Sequence, residues 1–326
     1  METRSLDSMA APIRAAHSIA VCGHVHPDGD SLGSILALTH ALKRLGKQVT
    51  PLLPAVDCKL REYAFMPGFC DLVPAAEYQE TPDLFFSVDV PNSKRFGADA
   101  LAVYERCQNR LALDHHSDTD MEIAALTYSD PACAACGMIV WDLIEALGLP
   151  QEPEEAMCCY VAVVTDTGRF QYQNTDARAL GYATDFVLSG AIPSLIANNI
   201  YLSRSMARVQ LEAICTQRLS FECDGKLVYS WICPQDYEAV GACPEDGEEL
   251  ADCVRSLAGA NVCMLLRVQD NGIVRGSLRA KDDSDVASVA HDFNGGGHKA
   301  AAGFNFEGSL QECLDAVLPR LRELVR

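Results

Sequence analysis

The first part of the chain alternates short apolar segments with longer segments of helical periodicity, and this alternation limits the folds open to it. Four apolar segments are typical of buried strands. They cover residues 18–22, 48–53, 83–90 and 110–114. Residues 30–45 carry leucine and isoleucine at helical spacing, which predicts a helix after the first strand. Strands that alternate with helices indicate a mostly parallel sheet with helices on both faces.

The second part of the chain has a different texture. Residues 192–219 contain no glycine and no proline after Pro193, and we expect one long connecting helix there. Strand-like and helix-like segments then mix, which predicts a smaller α+β domain. Its strands are expected over residues 226–233, 262–268 and 273–280, and its helices over 285–293 and 309–325. The predicted division is 1–190 for the first domain, 191–220 for the connecting helix and 221–326 for the second domain.

Composition excludes several classes of protein. Of the 326 residues, 49 % are hydrophobic, enough for packed cores, so a disordered or fibrous chain is excluded. A formal net charge of -19 argues against coating long nucleic acid, which needs a basic face. No apolar run reaches the roughly 20 residues of a membrane-spanning helix, and residues 1–17 lack the apolar segment of a signal peptide. Because no such run is present, we expect no membrane partner. The 15 cysteines, an odd number, are scattered along the chain, and we therefore expect a reduced, cytoplasmic protein.

Acidic and histidine side chains follow the apolar segments. Residues 23–34 (GHVHPDGDSLGS) place His24, Asp28 and Asp30 between the first strand and its helix. This is the side of an open α/β sheet where ligands bind. An aspartate there can also simply cap the helix, but two aspartates with a histidine favour a metal site.

The same pattern recurs three times. Asp89 closes the segment LFFSV, Asp114-His115-His116 follows LAL, and Asp166 follows the apolar residues 161–164. Residues 157–165 are apolar on all sides, so periodicity does not decide between a buried helix and a strand. A parallel sheet brings several strand ends to one edge, and together these side chains are enough for two metal ions.

These motifs, HVHPDGDSLGS, SVD, DHH and TDTG in this order, resemble the signature of the DHH phosphoesterase superfamily. Residues 295–304 (GGGHKAAAGF) resemble the glycine-rich motif of the C-terminal domain associated with that family. The pairing is similar to the oligoribonucleases of the family that degrade nanoRNA and also hydrolyse 3'-phosphoadenosine 5'-phosphate (pAp).

The resemblance implies a role for each matching residue. His24, Asp28 and Asp89 are expected to hold one metal ion, and Asp30, Asp89, His115 and Asp166 the other, with Asp89 bridging. His116 is expected to contact the scissile phosphate, and Asp114 to orient a ligand from behind. Mixed imidazole and carboxylate ligation suits Mn²⁺ better than Mg²⁺, and the family also prefers manganese.

The C-terminal motif implies substrate binding. Gly295, Gly296 and Gly297 let backbone N–H groups approach an anion, and His298 adds a donor. Arg279 aligns with an arginine that the family uses against substrate, and Arg275, Lys281 and Lys299 are further candidates.

Two positions depart from the family: Asn294 replaces the first glycine of a longer run, and Gln171 stands where relatives carry arginine. Asn294 tolerates a positive φ, and Arg169 is expected to compensate for Gln171. His26 is left outside the metal site.

The expected function is metal-dependent hydrolysis of very short oligoribonucleotides to mononucleotides, with dephosphorylation of pAp to AMP. The expected active site lies in the cleft between the two domains. Three alternatives are weaker: a phosphodiesterase for dinucleotides such as pApA, an inorganic pyrophosphatase or exopolyphosphatase, and a nucleotide-binding regulator without catalysis. We expect short oligonucleotides and nucleotides as partners and no long nucleic acid, and a homodimer is one assembly open to the chain.

Overall fold

The computed structural model describes residues 5–55, 58–247 and 250–325. The chain divides into two compact units, Met1–Ser203 and Arg204–Arg326, which are described separately. The expectation that the active site lies between two domains stays a prediction.

The first unit is built on a six-stranded sheet in which every pair of neighbouring strands is parallel. Its strands are β1 (Ser18–Cys22), β2 (Gln48–Leu53), β3 (Val73–Pro74), β4 (Leu84–Val88), β5 (Arg110–Asp114) and β6 (Leu126–Ser129). Its helices are α1 (Asp7–Ala15), α2 (Gly29–Arg44), α3 (Gly97–Arg106), α4 (Cys136–Ala146), α5 (Pro153–Asp166), α6 (Ala177–Leu188) and α7 (Pro193–Ile200). The predicted parallel α/β domain is confirmed.

The strand order is β3-β2-β1-β4-β5-β6, so the chain reverses its direction of travel across the sheet between β1 and β4. The carboxyl ends of two strands at such a reversal open a crevice, because their connections leave to opposite sides. Two buried clusters cover the two faces of the sheet. One contains α2, α4 and α5 against Phe86 and Leu113, and the other contains α3 against Phe85 and Ala112.

Helix α5 resolves the segment that periodicity left open. Pro153 occupies the first turn and a reciprocal pair of hydrogen bonds between Glu152 and Glu155 caps the helix start. The helix then packs tightly on α2. A Cβ at Gly33 of α2 would lie 2.4 Å from the carbonyl oxygen of Cys158, so only glycine allows this approach. The crossing brings the end of α5 to the start of α2.

The expected long helix over residues 192–219 is wrong. The structure has two helices, α7 and α8 (Met206–Gln217), separated by residues 201–205. Polar side chains compete with the helical hydrogen bonds at this break. Ser203 donates to the carbonyl oxygen of Asn199, and Ser205 accepts from the N–H of Arg208 and so caps α8.

The second unit is α+β, as predicted, with a mixed six-stranded sheet of order β11-β12-β10-β9-β8-β7. Its strands are β7 (Ser220–Glu222), β8 (Leu227–Ile232), β9 (Val262–Val268), β10 (Ile273–Ala280), β11 (Gly296–His298) and β12 (Ala301–Glu307). Besides α8, its helices are α9 (Pro234–Val240), α10 (Leu250–Arg255), α11 (Val286–Asp292) and α12 (Leu310–Leu324). Helices α11 and α12 pack on one face, and α8 and α10 cover β8 and β9 on the other.

Among the described residues, no single helix has the length and apolar composition needed to cross a membrane. Helices α6 and α7 meet that test only as a pair, and they are bent by 107° relative to each other.

Candidate metal centre

His24 follows β1 and Asp89 follows β4, so both lie at the carboxyl ends of the two strands where the sheet order reverses. Both side chains are buried. Nε2 of His24 lies 3.2 Å from Oδ2 of Asp89 and 3.8 Å from Oδ1 of Asp28. Asp28 is half-exposed and also caps α2, accepting from the N–H groups of Asp30 and Ser31 at 3.1 Å each. The three residues expected to hold the first ion therefore lie together.

The second expected set also lies together. Nε2 of His115 is 3.4 Å from Oδ2 of Asp30 and 3.6 Å from Oδ2 of Asp166. The same nitrogen is 3.5 Å from Oδ1 of Asp89. Asp89 therefore faces both clusters with its two oxygens, the geometry expected of a shared ligand.

The tautomers of the two candidate histidine ligands are set by carbonyl groups, which can only accept. Nδ1 of His24 donates to the carbonyl oxygen of Val25 at 2.9 Å, and Nδ1 of His115 donates to that of Cys133 at 3.3 Å. In the neutral imidazole, Nε2 therefore carries the lone pair, and this lone pair faces the carboxylates. This is the usual arrangement of metal-binding histidines.

Asp114 lies behind this site and is fully buried. It accepts a hydrogen bond from Nδ1 of His116 at 2.7 Å and another from the hydroxyl of Thr119. Asp114 is therefore placed to orient the imidazole of His116. His116 itself lies beside Asp89, with Nδ1 at 3.7 Å from Oδ1.

In the absence of metal, burial and the neighbouring charges shift the pKa values of the acidic and histidine side chains in this site. Burial and the negative charge of Asp89 raise the pKa of Asp30 to about 7, and burial raises the pKa of Asp166 well above its usual value. Burial opposes the protonation of His24 and His115, yet neighbouring carboxylates raise the pKa of both imidazoles well above the ordinary value. Burial also opposes the ionisation of Asp89, but His115 and His24 lower the pKa of this carboxyl group. Protons thus supply the positive charge that the carboxylates require.

The donor set fits divalent ions. Adjacent ligands at roughly 2.1 Å from one ion lie about 3 Å apart, and opposite ligands about 4 Å apart. The nitrogen–oxygen separations of 3.2–3.8 Å fall in this interval. In each cluster the ligand atoms lie within 4.8 Å of one another. A bound cation would replace the protons and release the repulsion between carboxylates.

One contact in the site could not be foreseen from local sequence. Asp30 accepts from the backbone N–H groups of Cys136 at 2.7 Å and Gly137 at 3.0 Å, and from the hydroxyl of Ser34 at 3.1 Å. The carboxylate of Asp30 therefore meets the start of α4 as well as His115. An Ala-Cys-Gly sequence at a helix start carries no side-chain signal for such a bond.

The residues expected to bind substrate form a row across the second sheet. Arg279 of β10 and His298 of β11 both pair with Ala301 of β12, so the three residues point to the same face. Arg275 lies on that face too, two same-face positions along β10, and is exposed. Lys299 is exposed and 3.5 Å from Asp283, whereas Lys281 donates to the carbonyl oxygen of Leu257.

The glycine run has a structural role of its own. Gly297 has φ +140, and a Cβ there would lie 2.5 Å from the carbonyl oxygen of Ala301, so β11 and β12 require glycine at this position. The N–H of Gly295 donates to the carbonyl oxygen of Ala290 at 2.8 Å and is not available to an anion. Gly296 and Gly297 pair with β12 in an antiparallel ladder, where alternate residues donate their N–H groups to the partner strand, so at most one of these two amides stays a candidate. Asn294 adopts φ +56, as expected for a residue that replaces glycine.

Two further residues lie apart from the metal ligands. His26 is exposed with φ +55. The guanidinium of Arg169 stacks 4.8 Å over the ring of Tyr201 and lines a cavity of about 260 Å³ with Tyr160, Val164 and other residues. Val164 and Asp166 point to opposite faces of α5, because two residues turn a helix by about 200°. Arg169 therefore lines the side of α5 away from Asp166.

A parallel α/β sheet with paired histidine–carboxylate clusters at its switch point, followed by a separate α+β unit, defines a class of two-domain proteins with a candidate dinuclear centre. Residues 18–163 match the model of the DHH family, N-terminal domain, and residues 224–326 match the DHHA1 domain. The chain therefore carries a domain of the DHH family followed by a DHHA1 domain.

The curated relatives include proteins named bifunctional oligoribonuclease and PAP phosphatase NrnA. The chain is 28 % identical to the protein of Thermus thermophilus over 317 residues, which cover 94 % of this chain and 89 % of the relative. It is 24 % identical to that of Bacillus subtilis over 283 residues, 86 % of each chain.

Solved structures share the fold. An exopolyphosphatase-related protein from Bacteroides fragilis superposes with a TM-score of 0.90 at 24 % identity, covering 98 % of this chain and 97 % of that one. RecJ from Thermus thermophilus, crystallised with Mn²⁺, superposes with a TM-score of 0.56 at 17 % identity, covering all of this chain and 54 % of RecJ.

Proposed function

We propose that this chain is a divalent-metal-dependent phosphoesterase that hydrolyses very short oligoribonucleotides to mononucleotides and dephosphorylates pAp to AMP. The observation that carries the proposal is the position of Asp89, whose two oxygens face His24 and His115 in two adjacent ligand clusters. The relatives named as oligoribonucleases and PAP phosphatases, with nearly full-length coverage, support the choice of substrate.

We propose two metal ions, with Mn²⁺ preferred. His24, Asp28 and Asp89 would hold one, and Asp30, His115, Asp166 and Asp89 the other. Each cluster combines one imidazole with carboxylates, a set that suits Mn²⁺ better than Mg²⁺. RecJ, which shares the fold, has been crystallised with each of these ions. When bound, the pair of ions would activate water and stabilise negative charge on the phosphoryl group.

The residues of the chain would then perform three tasks. His116, held by Asp114 at 2.7 Å, would present its imidazole to the scissile phosphate in a fixed orientation. Asp89, which is buried, would contact both ions and so fix the distance between the two ligand clusters. Arg279 and His298, side by side across Ala301, would contact the anionic or base portion of a short substrate, with Arg275, Lys299 and one amide of the pair Gly296 and Gly297 as further contacts.

The test is a panel of substrates assayed with Mn²⁺: pAp, pApA, five-nucleotide RNA, 24-nucleotide RNA and pyrophosphate. We expect turnover of pAp and of the short RNA, and little of the 24-mer. Efficient hydrolysis of pApA alone would move the assignment to a dinucleotide phosphodiesterase. Pyrophosphate as the sole good substrate would contradict the proposal, and binding without turnover would indicate a regulator.

We also propose a cytoplasmic location, because 15 scattered cysteines, an odd number, indicate a reducing compartment; fractionation of cells that express the chain tests it. A homodimer is likewise proposed only from the sequence, and sedimentation of the purified chain tests it.

A further inference from the structure

The ligand set expected for the second ion is contacted by one segment of the chain. This segment comprises the loop of residues 130–135, which joins β6 to α4, and the first residues of α4. The carbonyl oxygen of Cys133 accepts from Nδ1 of His115 at 3.3 Å. The N–H groups of Cys136 and Gly137 donate to Asp30 at 2.7 and 3.0 Å. One short segment thus sets the orientation of two ligands that come from different elements, α2 and the end of β5.

The third ligand is tied to the same segment by Asn174. Its Nδ2 lies 3.2 Å from the carbonyl oxygen of Ala134 and 3.1 Å from that of Asp166. A single amide therefore joins the loop to the end of α5, which carries the Asp166 side chain. Residues 130–137 and Asn174 together reach Asp30, His115 and Asp166.

The loop is anchored at its first residue by an ion pair. Nη1 of Arg178, on α6, lies 2.9 Å from Oδ2 of Asp130. Asp130 in turn accepts from the N–H of Ala132 at 3.1 Å and from the thiol of Cys133 at 3.2 Å. Its backbone N–H donates to the carbonyl oxygen of Asp114 at 3.1 Å. The carboxylate of Asp130 therefore fixes the turn that aims the Cys133 carbonyl at His115.

The first ligand cluster takes its support from other groups. Nδ1 of His24 donates to Val25, the next residue, and Asp28 accepts from the first N–H groups of α2. A change in loop 130–137 should therefore act on one of the two ions more than on the other.

We propose that Arg178, acting through Asp130, and Asn174 are positioning residues that hold the ligands of the second ion, Asp30, His115 and Asp166, in place. The proposal rests on the two-metal part of the proposed function. Groups that orient metal ligands typically contribute about 10- to 100-fold to metal affinity. We expect Arg178→Gln to weaken Mn²⁺ binding at one site by roughly tenfold or more and to leave the other site nearly unchanged.

The experiment is calorimetric titration of the metal-free full chain with Mn²⁺, supported by electron paramagnetic resonance. The wild-type protein should take up two ions and show the spectrum of a coupled Mn²⁺ pair. Arg178→Gln should show one weakened binding event and, at limiting Mn²⁺, the six-line spectrum of an isolated ion. Asn174→Ala should do the same with a smaller effect, and Arg178→Lys should restore part of the affinity.

Tyr182→Phe is the matched control. Tyr182 lies beside Arg178 on α6 and donates to Asp142 of α4 at 2.6 Å, and Nη2 of Arg178 lies 4.0 Å from Oδ2 of the same Asp142. Removal of the Tyr182 hydroxyl disturbs the contacts at Asp142 and leaves both partners of the pair Arg178–Asp130 in the chain, so this variant tests whether Arg178 acts through Asp142 instead of Asp130. The double variant Arg178→Gln/Asp130→Asn should lose no more affinity than the larger single loss, because the two residues act as one unit.

Three outcomes would overturn the inference: unchanged affinities in Arg178→Gln and Asn174→Ala, equal weakening of both sites, or an equal effect of Tyr182→Phe. If Arg178→Gln does not fold, Asp130→Asn and Asn174→Ala decide the matter by the same titration. A wild-type chain that binds no second Mn²⁺ would instead contradict the two-metal proposal, and the two failures are therefore distinguishable.

Discussion

Nε2 of His24 lies 3.2 Å from Oδ2 of Asp89, although the two residues follow different strands, on either side of the reversal in strand order. The other oxygen of Asp89 faces His115 at 3.5 Å. Asp89 also has φ +60, a backbone conformation that aspartate and asparagine tolerate better than most residues. The buried carboxylate of Asp89, a residue with a positive φ, therefore connects the two ligand clusters.

Asp89→Asn should abolish turnover of pAp in Mn²⁺ while the chain still folds. Asparagine keeps the shape and tolerates the positive φ, but it removes the charge that both clusters share. Asp89→Ala should be equally inactive, with an added strain of about 1–2 kcal/mol because alanine does not favour this conformation. Rates, circular dichroism and bound Mn²⁺ are measured together.

The control for that series is Asp71→Asn, which removes an exposed ion pair with Lys43 at 2.7 Å and should leave the rate unchanged. Near-normal activity of Asp89→Asn would remove Asp89 from the proposed site.

The metal-free chain should lose stability as the pH rises from about 4, through the folded pKa of Asp30 at about 7 and onward through the higher folded pKa values of His24 and His115. The pKa of Asp30 is raised to about 7, and the pKa values of Asp166, His24 and His115 are also raised, so the folded state holds more protons than the unfolded state. Stability from such groups is present below their unfolded pKa values and is lost as pH rises through the folded ones. The lowered pKa of Asp89 acts in the opposite direction, but only at pH values below its ordinary range.

Metal should reverse this trend, because Mn²⁺ binds the deprotonated ligands. The increase in melting temperature caused by Mn²⁺ should be larger at pH 8 than at pH 6, and titration should release protons. Asp30→Asn should flatten the pH dependence of the metal-free chain. If the increase in melting temperature caused by Mn²⁺ is the same at pH 6 and pH 8, the metal ligands are not buried groups that hold protons in the metal-free chain.

Arg279→Ala and His298→Ala should reduce the hydrolysis of pAp and short RNA while Mn²⁺ content stays unchanged. Each would remove one charge-assisted contact, worth roughly 1.5–3 kcal/mol, which corresponds to about 10- to 150-fold in kcat/KM. Arg322→Ala is a suitable control, since this arginine pairs with Glu222 on another part of the same unit. Loss of metal from either test variant would place the second unit in the metal site and contradict the proposed division of roles.

Activity should fall steeply as the substrate lengthens beyond a few nucleotides. Residues 1–200 carry 13 basic and 26 acidic residues, and residues 201–326 carry 13 and 19, so neither half offers a predominantly basic face. Each phosphate beyond the proposed contacts would meet an acidic surface and add little binding energy. Initial rates on 5'-labelled RNA of two, three, five, seven, twelve and twenty-four nucleotides test this.

Lower ionic strength should not restore the activity on long RNA, because weaker screening strengthens repulsion as well as attraction. A flat length profile, or affinity that grows with length and falls steeply with salt, would indicate an extended nucleic-acid track instead.

Local sequence was sufficient for much of the fold and for the candidate ligands. The strands β1, β2, β5, β9 and β10 and the helix α2 were predicted to within a residue or two at each end, because apolar periodicity reports burial directly. The acidic and histidine residues at strand ends could be recognised because parallel strands carry ligands at their carboxyl ends. The place of Asp114 beside the site could be predicted from the sequence alone, because Asp114 directly precedes His115 and His116.

Tertiary structure decided what periodicity does not encode. Whether residues 157–165 form a helix depended on the capped start at Glu152 and on burial against α2, since an all-apolar segment fits either state. At the break after α7, Ser203 donates to the carbonyl oxygen of Asn199 and Ser205 caps α8, and the N–H of Gly295 donates to the carbonyl oxygen of Ala290. Three hydrogen bonds around the ligand set join a backbone group to a residue distant in sequence: the carbonyl oxygen of Cys133 accepts from His115, the N–H of Cys136 donates to Asp30, and the side-chain amide of Asn174 donates to the carbonyl oxygen of Ala134. Such contacts depend on how the elements pack, because every residue carries the same backbone amide and carbonyl, and only three-dimensional proximity selects which of them bind.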